Sequence, residues 1–117
     1  MDRLFSVREA AEMARCTLVY EGSRSVRNTY VSGVATDSRK VGRNFLFVAL
    51  KGERTDGHRF IRQAVENGAS AVLIAQSFTH TNEYRNDLDD VQVPLLTHEN
   101  PLSALQLLAS EYLQRFP

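Results

Sequence analysis

The apolar positions of this chain change their spacing several times, and each change marks an element. Phe45-Leu46-Phe47-Val48-Ala49-Leu50 is an unbroken apolar run of strand length, which predicts a strand covered on both faces. Ala69 to Ala75 repeats that signature. Between the two runs, Phe60, Ile61, Ala64 and Val65 recur at helical spacing and are expected to point inward. Asp56 is placed to cap this helix and Asn67-Gly68 to stop it. Strand, helix and strand joined by short connections predict a parallel crossover unit, right-handed as nearly all such units are.

The flanking segments extend the pattern. Ser6-Val7-Arg8-Glu9 has the spacing of a capping box, so a helix is expected from about Val7 to Arg15 with Val7, Ala10, Ala11 and Ala14 on one face. Thr17 to Tyr20 is β-prone, and Glu21-Gly22-Ser23 reads as a turn before a polar stretch ending at Asn28. Val31 to Thr36 reads as a strand, separated from Phe45 by a loop of about eight residues. Gln76 to Asp90 shows no sustained period and reads as a surface excursion. Val91 to Leu96 supplies a last strand, where Pro94, unable to donate to a ladder, predicts an edge or terminal position. Asn100-Pro101 opens a final helix running to about Gln114, with Leu102, Leu105, Leu108, Ala109 and Tyr112 as its inward stripe. The whole predicts an α/β fold: a single small domain with a mixed, mostly parallel sheet and helices packed on it.

Bulk properties narrow the choice of partners. The 117 residues suffice for one core. Basic and acidic residues balance at 14 each, so no net field draws the chain to nucleic acid or to an anionic membrane, and any anion site must be local. The single cysteine, Cys16, excludes an internal disulfide and fits a reducing compartment, so a cytoplasmic protein is expected. No apolar run reaches the roughly 20 residues of a membrane span, and the start at Met1-Asp2-Arg3-Leu4-Phe5 is unlike a secretory signal. The abrupt end at Arg115-Phe116-Pro117 suggests that something follows it.

Chemistry concentrates in two loops that bracket the central strand. Asp37-Ser38-Arg39-Lys40 follows a strand directly, where open α/β sheets place ligands. Ser38 offers a donor and an acceptor, while Arg39 and Lys40 suit phosphate oxygens. The plainer alternative is that Asp37 and Arg39 pair with each other and only pin the loop. Lys51-Gly52-Glu53-Arg54-Thr55-Asp56-Gly57-His58 combines acids, bases and two glycines that let the backbone approach a ligand. Here too a plainer account exists, with Asp56 capping, Gly57 turning and His58 an exposed first-turn residue. His58, His80 and His98 lie far apart and Cys16 has no companion at a zinc-like interval, so no metal is expected. Neither Gly-x-x-x-x-Gly-Lys-Ser/Thr nor Gly-x-Gly-x-x-Gly occurs, which argues against nucleotide hydrolysis by this chain alone.

Taken together, Thr36-Asp37-Ser38-Arg39-Lys40, Leu46-Phe47-Val48-Ala49-Leu50-Lys51-Gly52-Glu53-Arg54, Asp56-Gly57-His58-x-Phe60 and Gly68-Ala69 resemble the N-terminal domain of the Mur ligases. Within that family, Phe-Val-Ala-Leu-Lys-Gly-Glu-Arg is most similar to members that add D-alanyl-D-alanine to UDP-N-acetylmuramoyl-tripeptide. The nearest rival is the member that adds the third residue, a diamino acid or lysine. The resemblance spans most of Leu4 to Pro117 and is strongest over 36–69.

The resemblance implies a Mur ligase N-terminal (UDP-substrate-binding) domain over 1–117, with the ATP-binding central and the C-terminal domains absent from this chain. Carried over by position, Ser38, Glu53 and Arg54 would touch the uridine diphosphate, and Asp37, Arg39, Asp56 and His58 would support the loops or the diphosphate. No catalytic residue and no cofactor are expected here. ATP and magnesium would serve the full-length enzyme, a monomer that activates the substrate carboxylate as an acyl phosphate for attack by the dipeptide amine. Its partners would be UDP-N-acetylmuramoyl-peptide and the ATP-binding domain in cis, with no nucleic acid and no membrane. A stand-alone binding module is the other reading. Where the family usually has Pro-Gly before the central strand, this chain has Arg43-Asn44, and Asn is the residue besides glycine best able to hold a left-handed turn there.

Overall fold

The structure, a computed structural model, describes residues 3–19, 29–88 and 91–115. Its elements are β1 (Phe5–Ser6), α1 (Val7–Ala14), β2 (Thr17–Val19), β3 (Tyr30–Val31), β4 (Gly33–Ala35), β5 (Phe45–Val48), α2 (Ile61–Glu66), β6 (Ala71–Ala75), α3 (Asn82–Leu88), β7 (Leu95–His98) and α4 (Pro101–Arg115). Short 3₁₀ turns cover Ser38–Lys40, Gly57–Phe60 and Gln76–His80. The main sheet runs β2-β7-β6-β5-β4, with β4 to β7 mutually parallel and β2 antiparallel to β7. This is the mixed, mostly parallel α/β domain expected.

Burial on both faces explains the unbroken apolar runs. Leu46, Val48, Leu73 and Leu96 face a core shared with α1 and α4. Phe47, Ala49, Val72, Ile74 and Leu95 face the opposite core, shared with α2. Successive strand residues alternate between two dry sides, so no position in β5 or β6 has cause to be polar. The capping box forms, with Ser6 N–H donating to Glu9 Oε1 at 2.9 Å and Glu9 N–H to Ser6 Oγ at 3.0 Å. Small side chains at Ala10, Ala11 and Ala14 let α1 settle against α4. The Asn100 side chain caps α4, accepting from Leu102 N–H at 3.1 Å and Ser103 N–H at 3.3 Å.

Several expectations need correction. The Val31–Thr36 segment is two strands that part at Ser32: β3 pairs antiparallel with β1, and β4 joins the main sheet. Ser32 turns its hydroxyl to the Arg43 carbonyl at 2.9 Å, which fixes the break. β7 is interior, between β2 and β6. Pro94 precedes its first residue and only accepts there, from Val72 N–H at 3.2 Å, so its missing donor costs the ladder nothing. The Gln76–Asp90 excursion holds a 3₁₀ turn and α3, which bring Phe78, Tyr84 and Leu88 onto the second core. On α4 the inward residues are Ala104, Leu105, Leu108 and Tyr112, while Leu102 and Ala109 are exposed. On the other side of the sheet, Phe60 is 39% exposed rather than buried. The turn expected at Glu21-Gly22-Ser23 and the polar stretch to Asn28 lie outside the described residues, as do Phe116 and Pro117. Among the described residues no helix is long and apolar enough to cross a membrane.

Asn44 has φ 64°, the left-handed conformation anticipated for it. Its N–H donates to Gly68 O at 2.8 Å. Gly68 itself has φ 111°, and a Cβ there would stand 3.0 Å from Arg43 Cα. Two positive-φ turns therefore close against each other at the start of β5.

Candidate functional site

Because β4 and β5 are parallel neighbours, the loops that leave them emerge at the same, carboxyl end of the sheet. The first loop is fixed by its own side chains. Asp37 Oδ1 accepts from Arg39 N–H at 3.0 Å and Arg39 Nε at 3.1 Å, while Oδ2 accepts from Arg39 Nη2 at 2.9 Å. The Arg39 side-chain bond, its backbone N–H and its charge hold the Asp37 carboxyl at about 2. Ser38 is 5% exposed. Its hydroxyl donates to Gln63 Oε1 at 2.9 Å, and its carbonyl accepts from Asn67 Nδ2 at 2.9 Å, so both groups tether the loop to α2 and the turn after it.

The second loop is a hairpin. Lys51 and Asp56 form an antiparallel bridge, Gly52 N–H donates to Thr55 O and Gly57 N–H to Leu50 O, each at 2.8 Å. The tip, Glu53-Arg54, is exposed. At the base, Asp56 caps the 3₁₀ turn through His58 N–H at 3.0 Å and meets His58 Nδ1 at 2.6 Å. His58 Nε2 accepts from Ala75 N–H at 3.0 Å. An acceptor at Nε2 requires the proton at Nδ1, so this geometry selects the neutral Nδ1–H tautomer, donating to Asp56. Burial alone would raise the Asp56 carboxyl, but the hydrogen bonds from the His58 backbone and ring, with the Lys51 charge nearby, hold it below its ordinary value. His58 is buried and lies 4.5 Å from the Phe78 ring.

The hairpin divides two cavities. One, of about 490 Å³, is lined from the first loop by Thr36, Asp37, Ser38 and Arg39, and from the second by Gly52, Thr55 and Gly57, with Phe47, Leu50, Phe60 and Gln63 behind. The other, of about 460 Å³, takes Glu53, Arg54, Asp56 and His58 together with Lys51, Arg59, Phe78, Thr81 and Glu83. The seven residues singled out from the sequence thus stand at one end of the sheet but on two sides of one hairpin. Asp37 and Arg39 satisfy each other, and His58 is a strut between the hairpin and the end of β6. Thr55, Phe60 and Gln63 were missed. The Ser38–Gln63 bond spans 25 residues, and no local pattern announces a contact of that range.

Elsewhere, burial pushes the Cys16 thiol up to about 12, which removes it as a nucleophile. Among the described residues no three His, Cys, Asp or Glu side chains come together as a metal site.

The profile of the Mur ligase family, catalytic domain, matches residues 30–113. The chain belongs to the Mur ligase family. The UDP-N-acetylmuramoyl-tripeptide--D-alanyl-D-alanine ligase of Bacillus subtilis (strain 168) is 39% identical over 109 residues, covering 93% of this chain and 21% of the relative. The UDP-N-acetylmuramoyl-L-alanyl-D-glutamate--2,6-diaminopimelate ligase of Oceanobacillus iheyensis is 30% identical over 104 residues, covering 89% of this chain and 19% of the relative. Among solved structures, crystal structure I of MurF from Acinetobacter baumannii superposes with a TM-score of 0.70 at 22% identity, covering 95% of this chain and 21% of that one. At that identity the match shows the shared fold. The chain spans about a fifth of the length of these Mur ligases.

Proposed function

We propose that this chain is the N-terminal, UDP-substrate-binding domain of an ATP-dependent peptidoglycan-precursor ligase, one that adds D-alanyl-D-alanine to UDP-N-acetylmuramoyl-tripeptide. The observation that carries this reading is the cavity between the β4 and β5 loops. It lies at the carboxyl end of a parallel sheet, the usual ligand position in open α/β folds, and both family motifs contribute to its wall. The D-alanyl-D-alanine ligase of Bacillus subtilis keeps 39% identity over 93% of this chain, against 42% over 70% for one diaminopimelate ligase, and that longer match favours D-alanyl-D-alanine over the third-position diamino acid.

In this reading the domain positions its substrate and does no bond chemistry. A grip on the remote UDP group uses binding energy to orient the distant peptide carboxylate. Asp37 holds Arg39 in the first loop, and the His58–Asp56 pair fixes the base of the hairpin. The described residues do not fit a magnesium–ATP site, since they gather no cluster of metal-binding side chains and the sequence carries no phosphate loop. In this reading, activation of the carboxylate by ATP to an acyl phosphate falls to domains outside this chain. We read the full enzyme as a cytoplasmic monomer acting in cell-wall synthesis.

The test is a titration of the chain with UDP-N-acetylmuramic acid, followed by amide resonances. Binding of about millimolar strength is expected, because a few loop contacts act without a closing partner domain, with shifts concentrated in residues 36–63. No shift at saturating ligand, or shifts scattered over other elements, would overturn the placement.

A further inference from the structure

We propose that Gln63, held by Ser38, is the residue that distinguishes uracil from cytosine in the cavity between the β4 and β5 loops. The inference rests on the UDP-binding reading and assigns a base-recognition role within it. Ser38 is nearly buried and its hydroxyl proton has Gln63 Oε1, 2.9 Å away, as its acceptor among the described residues. Turning the Gln63 amide over would leave that proton with no acceptor, at a cost of roughly 1–3 kcal/mol for a buried donor. The orientation of the amide is therefore set, and what remains is the Nε2 group, which donates to nothing among the described residues.

Gln63 lines the cavity together with Phe47 and Phe60. Phe47 is fully buried, whereas Phe60 is 39% exposed and gives a flat apolar flank beside the exposed Gln63. A pyrimidine laid on the Phe60 flank with its sugar and diphosphate pointing away from Gln63 brings its far edge, the 4-position, to the Gln63 amide. Uracil carries a carbonyl acceptor there and cytosine an amino donor. A fixed amide donor pairs with the first and opposes the second, and such unpaired polar groups are what make hydrogen-bonding sites selective. Ser38 acts here as a positioning residue and Gln63 as the base contact.

The experiment titrates the 117-residue chain with UDP and separately with CDP, following backbone amides and the side-chain NH2 pair of Gln63. UDP is expected to bind at least about tenfold more tightly than CDP, with the Gln63 side-chain resonances moving on UDP addition, consistent with one lost hydrogen bond. Gln63→Glu keeps an acceptor for Ser38 but removes the donor, and should bring the two nucleotides to within about threefold of each other. Ser38→Ala frees the amide and should narrow the ratio likewise. A merely structural role for Ser38 would weaken both nucleotides alike and leave the ratio unchanged. Gln63 is exposed on α2, so its variant is expected to keep the parent's thermal midpoint. If loops 36–58 respond to UDP but Gln63→Glu leaves the ratio unaltered, this inference falls and the binding reading stands. If nothing in 36–58 responds, the UDP reading falls and the inference with it.

Discussion

Replacing His58 by leucine tests the strut that ties the hairpin to the sheet. Leucine keeps much of the ring's volume at a position 7% exposed but removes both side-chain hydrogen bonds. Ala75 N–H loses its acceptor at 3.0 Å, and leaving a half-buried donor unpaired costs roughly 1–3 kcal/mol. Asp56 loses the 2.6 Å contact with Nδ1. Its side chain is 36% exposed, so water replaces that partner and the loss is held to about 0.5 kcal/mol. The expected total is about 1.5–3.5 kcal/mol. With an unfolding entropy of about 2.1 cal/mol/K per residue, a chain of 117 residues should lose roughly 6–14 °C in Tm. Urea or thermal unfolding followed by circular dichroism reads this directly. Asp56→Asn is the control, since asparagine still caps the turn and still accepts from Nδ1–H, and it should cost less than about 1 kcal/mol at neutral pH. A His58→Leu loss below 1 kcal/mol, or an Asp56→Asn loss as large as that of His58→Leu, would refute the assignment of His58 as a neutral strut.

Three further outcomes follow from the same geometry. The Asp56 carboxyl is held below its ordinary value in the folded chain, so its contribution is complete above about pH 3.9 and is lost as pH falls towards the folded value. Acid titration of stability should show a smaller drop below pH 4 in Asp56→Asn than in the parent. Gly57→Ala places a Cβ 2.8 Å from Leu50 N and 3.0 Å from Leu50 O, both backbone atoms. It should cost about 1–3 kcal/mol and shift the amide resonances of 51–56, whereas unchanged stability would mean the hairpin moves freely. Asn44 sits at φ 64°, so Asn44→Gly should be neutral or slightly stabilising and Asn44→Val should cost about 1–2 kcal/mol in equilibrium unfolding.

Legibility in the sequence followed the range of the interactions involved. The capping box of α1, the Asn100 cap of α4 and the cap at Asp56 all depend on atoms within about four residues, and each was readable as a short pattern, whereas the left-handed turn at Asn44 was readable only against the Pro-Gly that the family has there. The 45–50 and 69–75 runs named the central strands because both sides of them are dry. The position of β7 was misjudged, since whether Pro94 must donate depends on where pairing begins. The inward faces of α2 and α4 were partly misjudged for a related reason. Helical spacing identifies a stripe, but only a neighbour decides where that stripe ends, as exposed Phe60 and Leu102 show.

The sequence by itself determined the element types, the parallel crossover at the centre, the two loops of interest and the family to which the chain belongs, because these are carried by local chemistry and by contiguous motifs. Tertiary structure alone decided that the hairpin 51–56 stands as a wall between two cavities, that Ser38 is turned inward to Gln63, and that His58 braces β6. Those outcomes depend on contacts between residues far apart in the chain, such as His58 with Ala75, and their partners are selected by packing, which no local pattern encodes.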